Sequence, residues 1–489
     1  MNRPLERRLD LFLADADQRR PVLEEGLPSK AALLAPRPTS EHIKELRRIE
    51  ENWNDLSLQG WALIAPEGKA GDRMLEAIEP LRKLREAEGA PVKVYRAPAD
   101  MSAKQAVAWK TTTFWPEGVP EDEVPLYALL LGDLDELSAE LQHVLAAGSL
   151  VGRLSFAKTP GEADLDAYAA YADKIVRFAR EGTAHERPDF LFYVAPDGSS
   201  ATVCGRELLV APGLEASRQR LAAGKLAAAS VRELSAESVE ALLVEGASGR
   251  PSVLLSVSHG LGAPPEGWPS AEEQRRKQGA LLLVPDQVLD AERLRGQAFL
   301  PGGMWFLVAC FGAGTPASSA YHAWLTQLAE GGDDVGSIEA IKRSLSGGPF
   351  VAALPQAALA NKAGPLAVIG HLDLAWTASF SGIEDPTESK KSRILLPLEK
   401  LVAGNRAGVA LGALMREYAD VNDTLMSEYQ RMKDAEVNGR RNPVAPLEQA
   451  YRWLLRNDLR GYVLLGDPAA RLPLSRFARQ GEGAGAPVG

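Results

Sequence analysis

The sequence predicts an α/β protein built around a mostly parallel β-sheet. Short runs of consecutive apolar residues alternate along most of the chain with segments whose apolar residues recur at helical spacing. The apolar runs lack an alternation of polar residues, which indicates strands that are covered on both faces. Strands of this kind alternating with helices favour a parallel sheet enclosed between two layers of helices.

The first 59 residues are predicted to form a separate helical segment. They are rich in Arg, Glu and Leu, and prolines interrupt them at 21–28 and 36–38. Proline breaks of this kind divide a charged stretch into short helices. We expect one or two such helices to lie over the main body of the protein.

Residues 60–247 are predicted to form the first α/β unit. Its first long helical segment places Leu75, Ile78 and Leu81 on one face, as a helix packed on a sheet requires. The predicted strands are 61–65, 91–95, 127–131, 151–157, 190–195 and 231–234, and the predicted helices are 75–88, 135–145, 164–180, 215–229 and 236–244.

Residues 248–475 repeat the pattern more strongly and are predicted to form the second and catalytic unit. Its apolar runs are longer, and polar residues follow several of them directly. The remaining residues, 476–489, are rich in Gly and Ala and are expected to form a flexible tail. The predicted strands of this unit are 252–257, 280–284, 304–309, 366–369 and 462–465, and the predicted helices are 286–295, 398–402 and 407–434.

Composition excludes several classes of protein. The chain has 489 residues, with 55 Lys plus Arg against 65 Asp plus Glu, so its formal charge is −10. A protein whose main task is to bind nucleic acid carries a basic surplus instead. The content of apolar residues, 45%, is that of a globular protein. Only two cysteines, Cys204 and Cys310, are present, which excludes a disulfide scaffold.

Sequence motifs of targeting and of common cofactor sites are absent. The N-terminus has no apolar core of signal-peptide length, and no run approaches the roughly 18 apolar residues of a membrane span. We therefore expect a cytoplasmic protein with no membrane association. The sequence contains no phosphate-binding loop, no serine-nucleophile elbow and no zinc-ligand spacing. No metal and no cofactor are predicted.

Two residues that can carry chemistry follow apolar strands directly. His259 comes after the strand 252–257, and Cys310 comes after the strand 304–309. Since the carboxyl ends of parallel strands meet at one edge of a sheet, both side chains should lie at that edge. A cysteine nucleophile needs an imidazole to accept its proton. His259 and Cys310 are therefore the predicted catalytic pair.

The residues around this pair are small, as an acyl-transfer site requires. Gly260 follows His259, and the sequence Phe-Gly-Ala-Gly follows Cys310, where it allows a sharp turn. Backbone N–H groups in such loops can bind the oxyanion of a tetrahedral intermediate. The N–H groups of Gly260 and Cys310 are the predicted oxyanion donors.

These motifs resemble the caspase-fold (clan CD) cysteine peptidases, and more closely the gingipain family and the CHAT-domain peptidases. The resemblance rests on a strand ending in His259-Gly260, a later strand ending in Cys310, and a Gly466-Asp467-Pro468 turn. Gly132-Asp133 followed by Gly152-Arg153 resembles the first subdomain of gingipains. The resemblance covers roughly residues 60–475. It implies a caspase-like three-layer α/β/α sandwich preceded by a smaller α/β subdomain, and a His–Cys peptidase that needs no cofactor.

The resemblance also implies residues that line the substrate pocket. Gingipains place acidic residues between the Gly-Asp turn and the Gly-Arg strand, where they orient the histidine and bind a basic side chain. Glu136 and Glu140 are the acids well inside that interval here. Asp373 and Trp376 follow the strand 366–369, where the fold walls its pocket, so Asp373 is either a reader of a basic side chain or a helix cap.

Other candidate residues are predicted to have structural roles. His371 is less suited than His259 to act as the base, because no glycine follows it and it comes after the nucleophile. Cys204 has no histidine context and is predicted to be structural. The loop 262–279 contains Arg275, Arg276 and Lys277. It is predicted to be a solvated cap, with a lid or an activation cleavage site as alternatives.

The sequence thus predicts a cysteine endopeptidase that cleaves protein or peptide substrates through an acyl-enzyme. A protease in a cytoplasm is expected to be a regulated effector with an activating or inhibiting protein partner. One alternative is a scaffold that retains the fold and binds partners without turnover. Another is a transpeptidase that transfers the acyl group to an amine.

Overall fold

The computed structural model describes residues 8–9, 27–28 and 52–478, apart from 160, 236–237, 248, 265, 285–286, 332–334 and 386. Most of the predicted N-terminal helical segment and of the predicted tail therefore lies outside the described residues. Within the first of these, Arg8–Leu9 pairs with Leu27–Pro28 in antiparallel fashion.

Strands and helices alternate along the chain, which confirms the predicted α/β class. The strands of the central sheet are β1 (Trp61–Pro66), β2 (Val92–Ala97), β3 (Tyr127–Leu131), β4 (Leu150–Leu154), β5 (Asp189–Val194), β6 (Ser230–Glu233), β7 (Ser252–Val257), β8 (Met304–Val308), β9 (Ala367–His371) and β10 (Tyr462–Leu465). Shorter strands outside this sheet are Ala157–Thr159, Glu162–Ala163, His259–Gly260, Leu281–Val284, Gln287–Leu289, Gly314–Thr315 and Phe350–Val351.

The helices cover this sheet and connect its strands. They are α1 (Leu56–Gln59), α2 (Lys69–Ala77), α3 (Glu79–Ala87), α4 (Ala103–Trp109), α5 (Ala139–Ala146), α6 (Leu165–Glu181), α7 (Ser200–Gly205), α8 (Ala211–Ala222), α9 (Val239–Gly246), α10 (Ala271–Lys277), α11 (Ala291–Leu294), α12 (His322–Gly331), α13 (Val335–Ser344), α14 (Ala353–Ala360), α15 (Ser392–Val402), α16 (Ala407–Val437), α17 (Pro446–Gly461) and α18 (Ser475–Ala478). The helix predicted for 286–295 is wrong in its first half, where the strand Gln287–Leu289 pairs with Leu281–Val284 instead.

The sheet has ten strands in the order β6-β5-β7-β8-β9-β10-β4-β3-β1-β2. Every neighbouring pair is parallel except β9 with β10, which is antiparallel. The strands β5 to β9 therefore run in one direction, and β10 and β1 to β4 run in the other. As a consequence, the carboxyl ends of β7, β8 and β9 lie at one edge of the sheet, while that of β3 lies at the opposite edge.

The two predicted units share this continuous sheet. The strands β5 and β6, which belong to the predicted unit 60–247, pair beside β7 of the predicted catalytic unit. The strand β10 joins the two halves, because it pairs with β9 on one side and β4 on the other. The boundary near residue 247 remains a prediction.

Burial on both faces of β1 gives the layered arrangement that the apolar runs predicted. Leu63 belongs to the larger apolar core, which includes Met74 of α2. Its neighbour Ile64 belongs to a second cluster with Trp109 of α4 and Leu141 of α5. Since successive strand residues point to opposite faces, helices cover the sheet on both sides.

The Gly-Asp-Pro turn has a structural role. Asp467 is fully buried and accepts hydrogen bonds from Trp61 Nε1 at 3.0 Å and from Arg85 Nε at 2.9 Å. Its backbone N–H donates to the hydroxyl of Tyr171 at 2.7 Å. Burial disfavours the charged guanidinium of Arg85, but the carboxylates of Asp467 and Glu88 raise its pKa nevertheless. The turn thus fixes α3 and α6 to the end of β10.

Candidate active site

The strands β7 and β8 bring His259 and Cys310 to the same edge of the sheet. The two strands are parallel neighbours, and Val257 is in register with Val308. His259 and Cys310 each come two residues after this pair. Their common location at one strand edge agrees with the sequence analysis, while their catalytic roles remain predictions.

The backbone of Gly260 lies directly against that of Cys310. A Cβ atom at position 260 would clash with the carbonyl oxygen of Cys310, so no residue other than glycine fits without displacing the chain. The short strand His259–Gly260 is fixed from its other side by pairing with Leu281 and Leu282. The N–H of Cys310 lies within reach of its own thiol, where it lowers the pKa of that group. Gly260 and Cys310 are thus adjacent at the strand edge, and the oxyanion role of their N–H groups remains a prediction.

The chain turns sharply after Cys310. Phe311 has a φ of 56°, in the left-handed region that side chains other than glycine rarely adopt. Such a conformation costs about 1–3 kcal/mol and persists where the surroundings fix it. Here the N–H of Phe311 donates to Asp373 O at 2.9 Å, and the N–H of Ala313 donates to His371 O at 2.9 Å. The turn leaves Cys310 at the tip of the loop.

The thiol of Cys310 contacts a backbone carbonyl. Its Sγ donates to the carbonyl oxygen of Ala375 at 3.6 Å. Burial raises the pKa of the thiol to about 11, and the negative charges of Asp458 and Asp373 add to this effect. Among the described residues, no hydrogen bond joins Sγ to His259. The thiol is therefore protonated at neutral pH in this arrangement.

The imidazole of His259 is half-exposed, at 42% of its side chain, and is oriented from the opposite side. Its Nε2 lies 2.8 Å from the hydroxyl of Ser199 and 3.6 Å from Oδ2 of Asp197. Since Nε2 is engaged in this way, Nδ1 is the ring nitrogen that remains available for another partner.

Asp197 is a residue that the sequence analysis missed. Its Oδ1 accepts from the N–H of Ser199 at 2.9 Å and from the hydroxyl of Thr202 at 2.5 Å. Its Oδ2 is buried and has no hydrogen-bond partner among the described residues. Burial opposes ionisation, but these hydrogen bonds and the nearby His259 lower the pKa of the carboxyl group. A fixed carboxylate thus faces the imidazole.

The position of Asp197 follows from the same strand rule that located the pair. It comes shortly after β5, which is parallel to β7 and adjacent to it. Ser199 then caps α7, because its hydroxyl accepts from the N–H of Thr202. The signal was present in the sequence as Ala195-Pro-Asp197-Gly at the end of an apolar strand.

Asp373 is buried and binds the loop before α12 rather than capping a helix of its own, and its role as a reader of a basic side chain remains a prediction. Its Oδ1 accepts from the hydroxyl of Ser319 at 2.8 Å and from the N–H of Leu374 at 2.8 Å, and its Oδ2 accepts from the N–H of Ala320 at 3.0 Å. Burial raises the pKa of this carboxyl group. Both oxygens are thus engaged inside the protein, where they anchor the loop before α12.

The segment 375–379, which contains Trp376, covers the thiol and is held from below by Asp458 of α17. The carboxylate of Asp458 accepts from the N–H of Trp376 at 2.9 Å and from the N–H of Ser379 at 2.8 Å. The ring of Trp376 packs against Tyr321 and Trp324, with centroids 5.7 and 5.6 Å away. Trp376 therefore lies beside the predicted nucleophile, and its role as a pocket wall remains a prediction.

His371 supports the same segment and is fully buried. Its Nε2 lies 3.0 Å from the carbonyl oxygen of Asp458 and 3.4 Å from Oδ1 of that residue. Burial disfavours its charged form, but the hydrogen bond and charge of Asp458 raise its pKa. This placement agrees with the preference for His259 as the base.

The structure does not bring Glu136 and Glu140 to the thiol. Glu136 lies in the loop after β3, at the edge of the sheet opposite Cys310, and its Oε2 accepts from the N–H of Asp133 at 2.9 Å. Glu140 lies in the first turn of α5, which follows that loop. No described contact supports the predicted pocket role of either residue. The reversal of strand direction between β9 and β10 is the reason.

The predicted solvated cap is instead docked through Arg275. Its guanidinium donates to Oδ2 of Asp133 at 2.8 Å and to Oδ2 of Asp135 at 2.7 Å, and its side chain is only 18% exposed. Asp133 also accepts from the N–H of Val351 at 2.6 Å. One carboxylate therefore binds both the segment that follows His259 and the segment that follows Cys310.

The described part of the chain lacks two further features. No group of three His, Cys, Asp or Glu residues in it is arranged to hold a metal ion. No helix in it is both long and apolar enough to cross a bilayer.

Cys204 lies half-buried in α7. Burial raises the pKa of its thiol, and a hydrogen bond with the side chain of Thr377 offsets only part of this rise.

Comparison with known proteins gives weak likenesses. No family model and no curated protein matches the sequence. A solved structure described as "Structure of Protease" matches with a TM-score of 0.46 at 12% identity, covering 86% of this chain and 79% of that chain. Two structures of the Saccharomyces cerevisiae separase–securin complex match with TM-scores of 0.32 and 0.26 at 12% and 11% identity. They cover 70% and 71% of this chain and 15% and 16% of theirs. These scores are too low to assign a function.

Proposed function

We propose that the protein is a cysteine endopeptidase in which Cys310 is the nucleophile, His259 the general base and Asp197 the residue that orients the base. The observation that carries the proposal is the meeting of these residues at one strand edge. Three adjacent parallel strands, β5, β7 and β8, are each followed within three residues by one of these side chains. Nucleophile, base and orienting acid in this order are the parts that acyl transfer by a thiol requires.

The reaction follows from this arrangement. Nδ1 of His259 accepts the thiol proton once Sγ turns toward it, and the thiolate attacks the carbonyl carbon of a peptide bond. The N–H groups of Gly260 and Cys310 stabilise the oxyanion. The imidazolium then gives its proton to the leaving amine, and the C–N bond breaks. Water attacks the thioester, His259 takes its proton, and the carboxylic acid leaves with restoration of the thiol.

The carboxylate of Asp197 stabilises the imidazolium that forms during these steps. Its unpaired Oδ2 faces Nε2 of His259, and Ser199 fixes the ring from the same side. A buried acid in this position also fixes the tautomer that leaves Nδ1 free to accept a proton. The burial of Cys310, which raises the pKa of its thiol, favours the alternative, a scaffold without turnover.

Cleavage of a peptide library derived from a proteome, followed by mass spectrometry, tests the proposal. Cuts that are present with the natural protein and absent with Cys310→Ala establish the nucleophile and show the preferred residue before the cut. Cys204→Ala is the matched control, since it removes the other thiol of the chain. Equal cutting by Cys310→Ala contradicts the proposal, and products joined to a library amine identify a transpeptidase.

A further inference from the structure

The segment 375–379 contacts the thiol of the proposed nucleophile. Sγ of Cys310 donates to the carbonyl oxygen of Ala375 at 3.6 Å, while Nε2 of His259 lies 2.8 Å from the hydroxyl of Ser199. Burial, and not this contact, is what raises the pKa of the thiol, because the backbone of Ala375 lowers it. The contact instead fixes the direction of Sγ, so transfer of the thiol proton to His259 requires Sγ to leave Ala375.

Asp458 fixes the carbonyl of Ala375 in this place. Its two carboxylate oxygens accept from the N–H groups of Trp376 and Ser379, both of which follow Ala375 in the chain. Asp458 is itself fully buried and paired with His371, at the end of β9. A buried carboxylate with charge-assisted bonds to two backbone N–H groups is a rigid support. The segment thus has a fixed anchor below it.

The outer side of the segment is less firmly held. Trp376 contacts Tyr321 and Trp324 edge-on, and its own ring is half-exposed. Its Nε1 is buried without a hydrogen-bond partner among the described residues. An unpaired buried donor weakens the position of this ring by about 1–3 kcal/mol. Displacement of Trp376 is accordingly the easiest way to move the segment.

We propose that Asp458 is a positioning residue that, through the segment 375–379, holds Cys310 in a latent state, and that movement of this segment activates the enzyme. The inference rests on the proposed function and concerns its regulation. Release of the Ala375 carbonyl frees Sγ to rotate toward Nδ1 of His259. A protein substrate or partner that draws Trp376 outward has this effect.

Alkylation of Cys310 by iodoacetamide, followed by mass spectrometry across pH 6–11, measures the state of the thiol. The groups that surround it are Asp373, Asp458, Tyr321 and Tyr462. For the natural full-length protein we expect alkylation at pH 7.5 at least about tenfold slower than for a small-molecule thiol. We also expect the profile of His259→Ala to match it, since His259 does not contact the latent thiol.

Asp458→Asn replaces one carboxylate oxygen, which accepts a hydrogen bond from the segment, by an amide nitrogen, which can only donate. The segment 375–379 should therefore be released. We expect Cys310 alkylation at pH 7.5 to rise by about tenfold or more, and this gain to disappear in the double variant with His259→Ala. Trp376→Ala, which leaves the buried anchor intact, should change the rate in the same direction if Asp458→Asn fails to fold. If the alkylation rate rises equally in the double variant, the change reflects only greater exposure of the thiol, and the inference is overturned.

The outcomes separate this inference from the proposed function. A natural protein whose Cys310 already reacts rapidly at pH 7.5, with a profile that His259→Ala shifts upward, has a paired thiolate at rest, and the latent state is then wrong even if peptides are cleaved. If the alkylation results are as expected but Trp376→Ala cleaves no peptide, the latent thiol stands and the peptidase does not.

Discussion

At the scale of single residues, the orientation of His259 determines what the site can do. Its Nε2 contacts Ser199 and faces Asp197, and both come from the loop that follows β5. A histidine held on one side by an acid presents its other nitrogen in a defined tautomer. The two variants below test this orientation and the backbone contact next to it.

Replacement of Asp197 by Asn should reduce kcat with little effect on KM. The amide removes the charge that stabilises the imidazolium and permits the wrong tautomer, so we expect a loss of about 10²- to 10⁴-fold. Steady-state kinetics on a cleaved library peptide measures it. Asp189→Asn, at the other end of β5, is the matched control and should leave kcat within about twofold. An unchanged kcat for Asp197→Asn would remove this residue from the mechanism.

Gly260→Ala should abolish cleavage while the rest of the molecule stays folded. The added methyl group collides with the carbonyl of Cys310, so the loop must shift and misplace both oxyanion donors. Loss of a single such donor costs roughly 10²- to 10³-fold in kcat. Gly249→Ala, which meets open space, serves as the control in the same assay. Retention of full activity by Gly260→Ala would contradict the assigned backbone contact.

Which site residues the sequence could predict depends on where their partners lie. His259 and Cys310 follow apolar strands, so a local pattern identifies them, and Asp197 obeys the same rule. The binding of both oxygens of Asp373 could not be predicted, because Ser319 and Ala320 lie more than fifty residues away in the chain. Hydrogen bonds across such separations are set by tertiary packing alone.

At the scale of elements, a buried ion pair joins α3 to the turn after β10. The guanidinium of Arg85 and the carboxylate of Asp467 are both almost completely excluded from solvent. Removal of one partner leaves the other charge uncompensated in the interior. Such a link makes the packing of the N-terminal helices sensitive to one side chain near the C-terminal end of the sheet.

Arg85→Met should lower the free energy of unfolding by about 3–5 kcal/mol, because it leaves the buried charge of Asp467 without its cation. Urea denaturation followed by circular dichroism measures this change. Arg82→Met, on the exposed face of the same helix, removes a surface ion pair with Glu86 and should cost less than about 1 kcal/mol. Equal effects of the two variants would show that the buried pair has no special role.

Apolar runs predicted the strands of the central sheet well, because burial on both faces leaves a simple pattern. The region 286–295 was predicted less well. Its residues have helical spacing, but Val288 and Leu289 pair with the strand Leu281–Val284, which needs a partner. Pairing within a local hairpin therefore outweighs helical spacing over a short segment.

At the scale of the whole molecule, Arg275 connects the two halves of the sheet. It lies in α10, in the segment that follows His259, and binds Asp133 and Asp135 of the loop after β3. The same Asp133 binds Val351, in the segment that follows Cys310. A change in the N-terminal half can therefore reach the segment after His259 and, through the pairing of Val351 with Gly314, the loop after Cys310.

Arg275→Ala should release the segment 262–279 from the N-terminal half. We expect faster hydrogen exchange and thermolysin cleavage within this segment, since its only charged anchor to Asp133 and Asp135 among the described contacts is lost. Arg276→Ala is the control and should leave the segment protected, because its exposed ion pairs reach Glu273 in the same helix and Glu292 of α11 but not the N-terminal half. Equal protection in both variants would show that Arg275 does not hold the segment.

The continuity of the sheet could not be predicted from the sequence. An apolar run shows that a strand is buried but not which way it runs, and the antiparallel pairing of β9 with β10 sets the direction of an entire half. This reversal is also why the predicted pocket acids Glu136 and Glu140 lie away from the thiol. If the predicted units 60–247 and 248–475 each had a sheet of its own, the sequence would leave open at which edge these two acids lie.

The central position of β10 has a consequence for the synthesis of the protein. This strand is the last of the sheet to leave the ribosome, yet every contact between the strands of one half and those of the other passes through it. The nascent chain can therefore assemble the strands of each half early, but the sheet becomes continuous only when β10 is added near the end of translation. Asp458 also emerges after Cys310, so the thiol leaves the ribosome before the residue proposed to hold its covering segment.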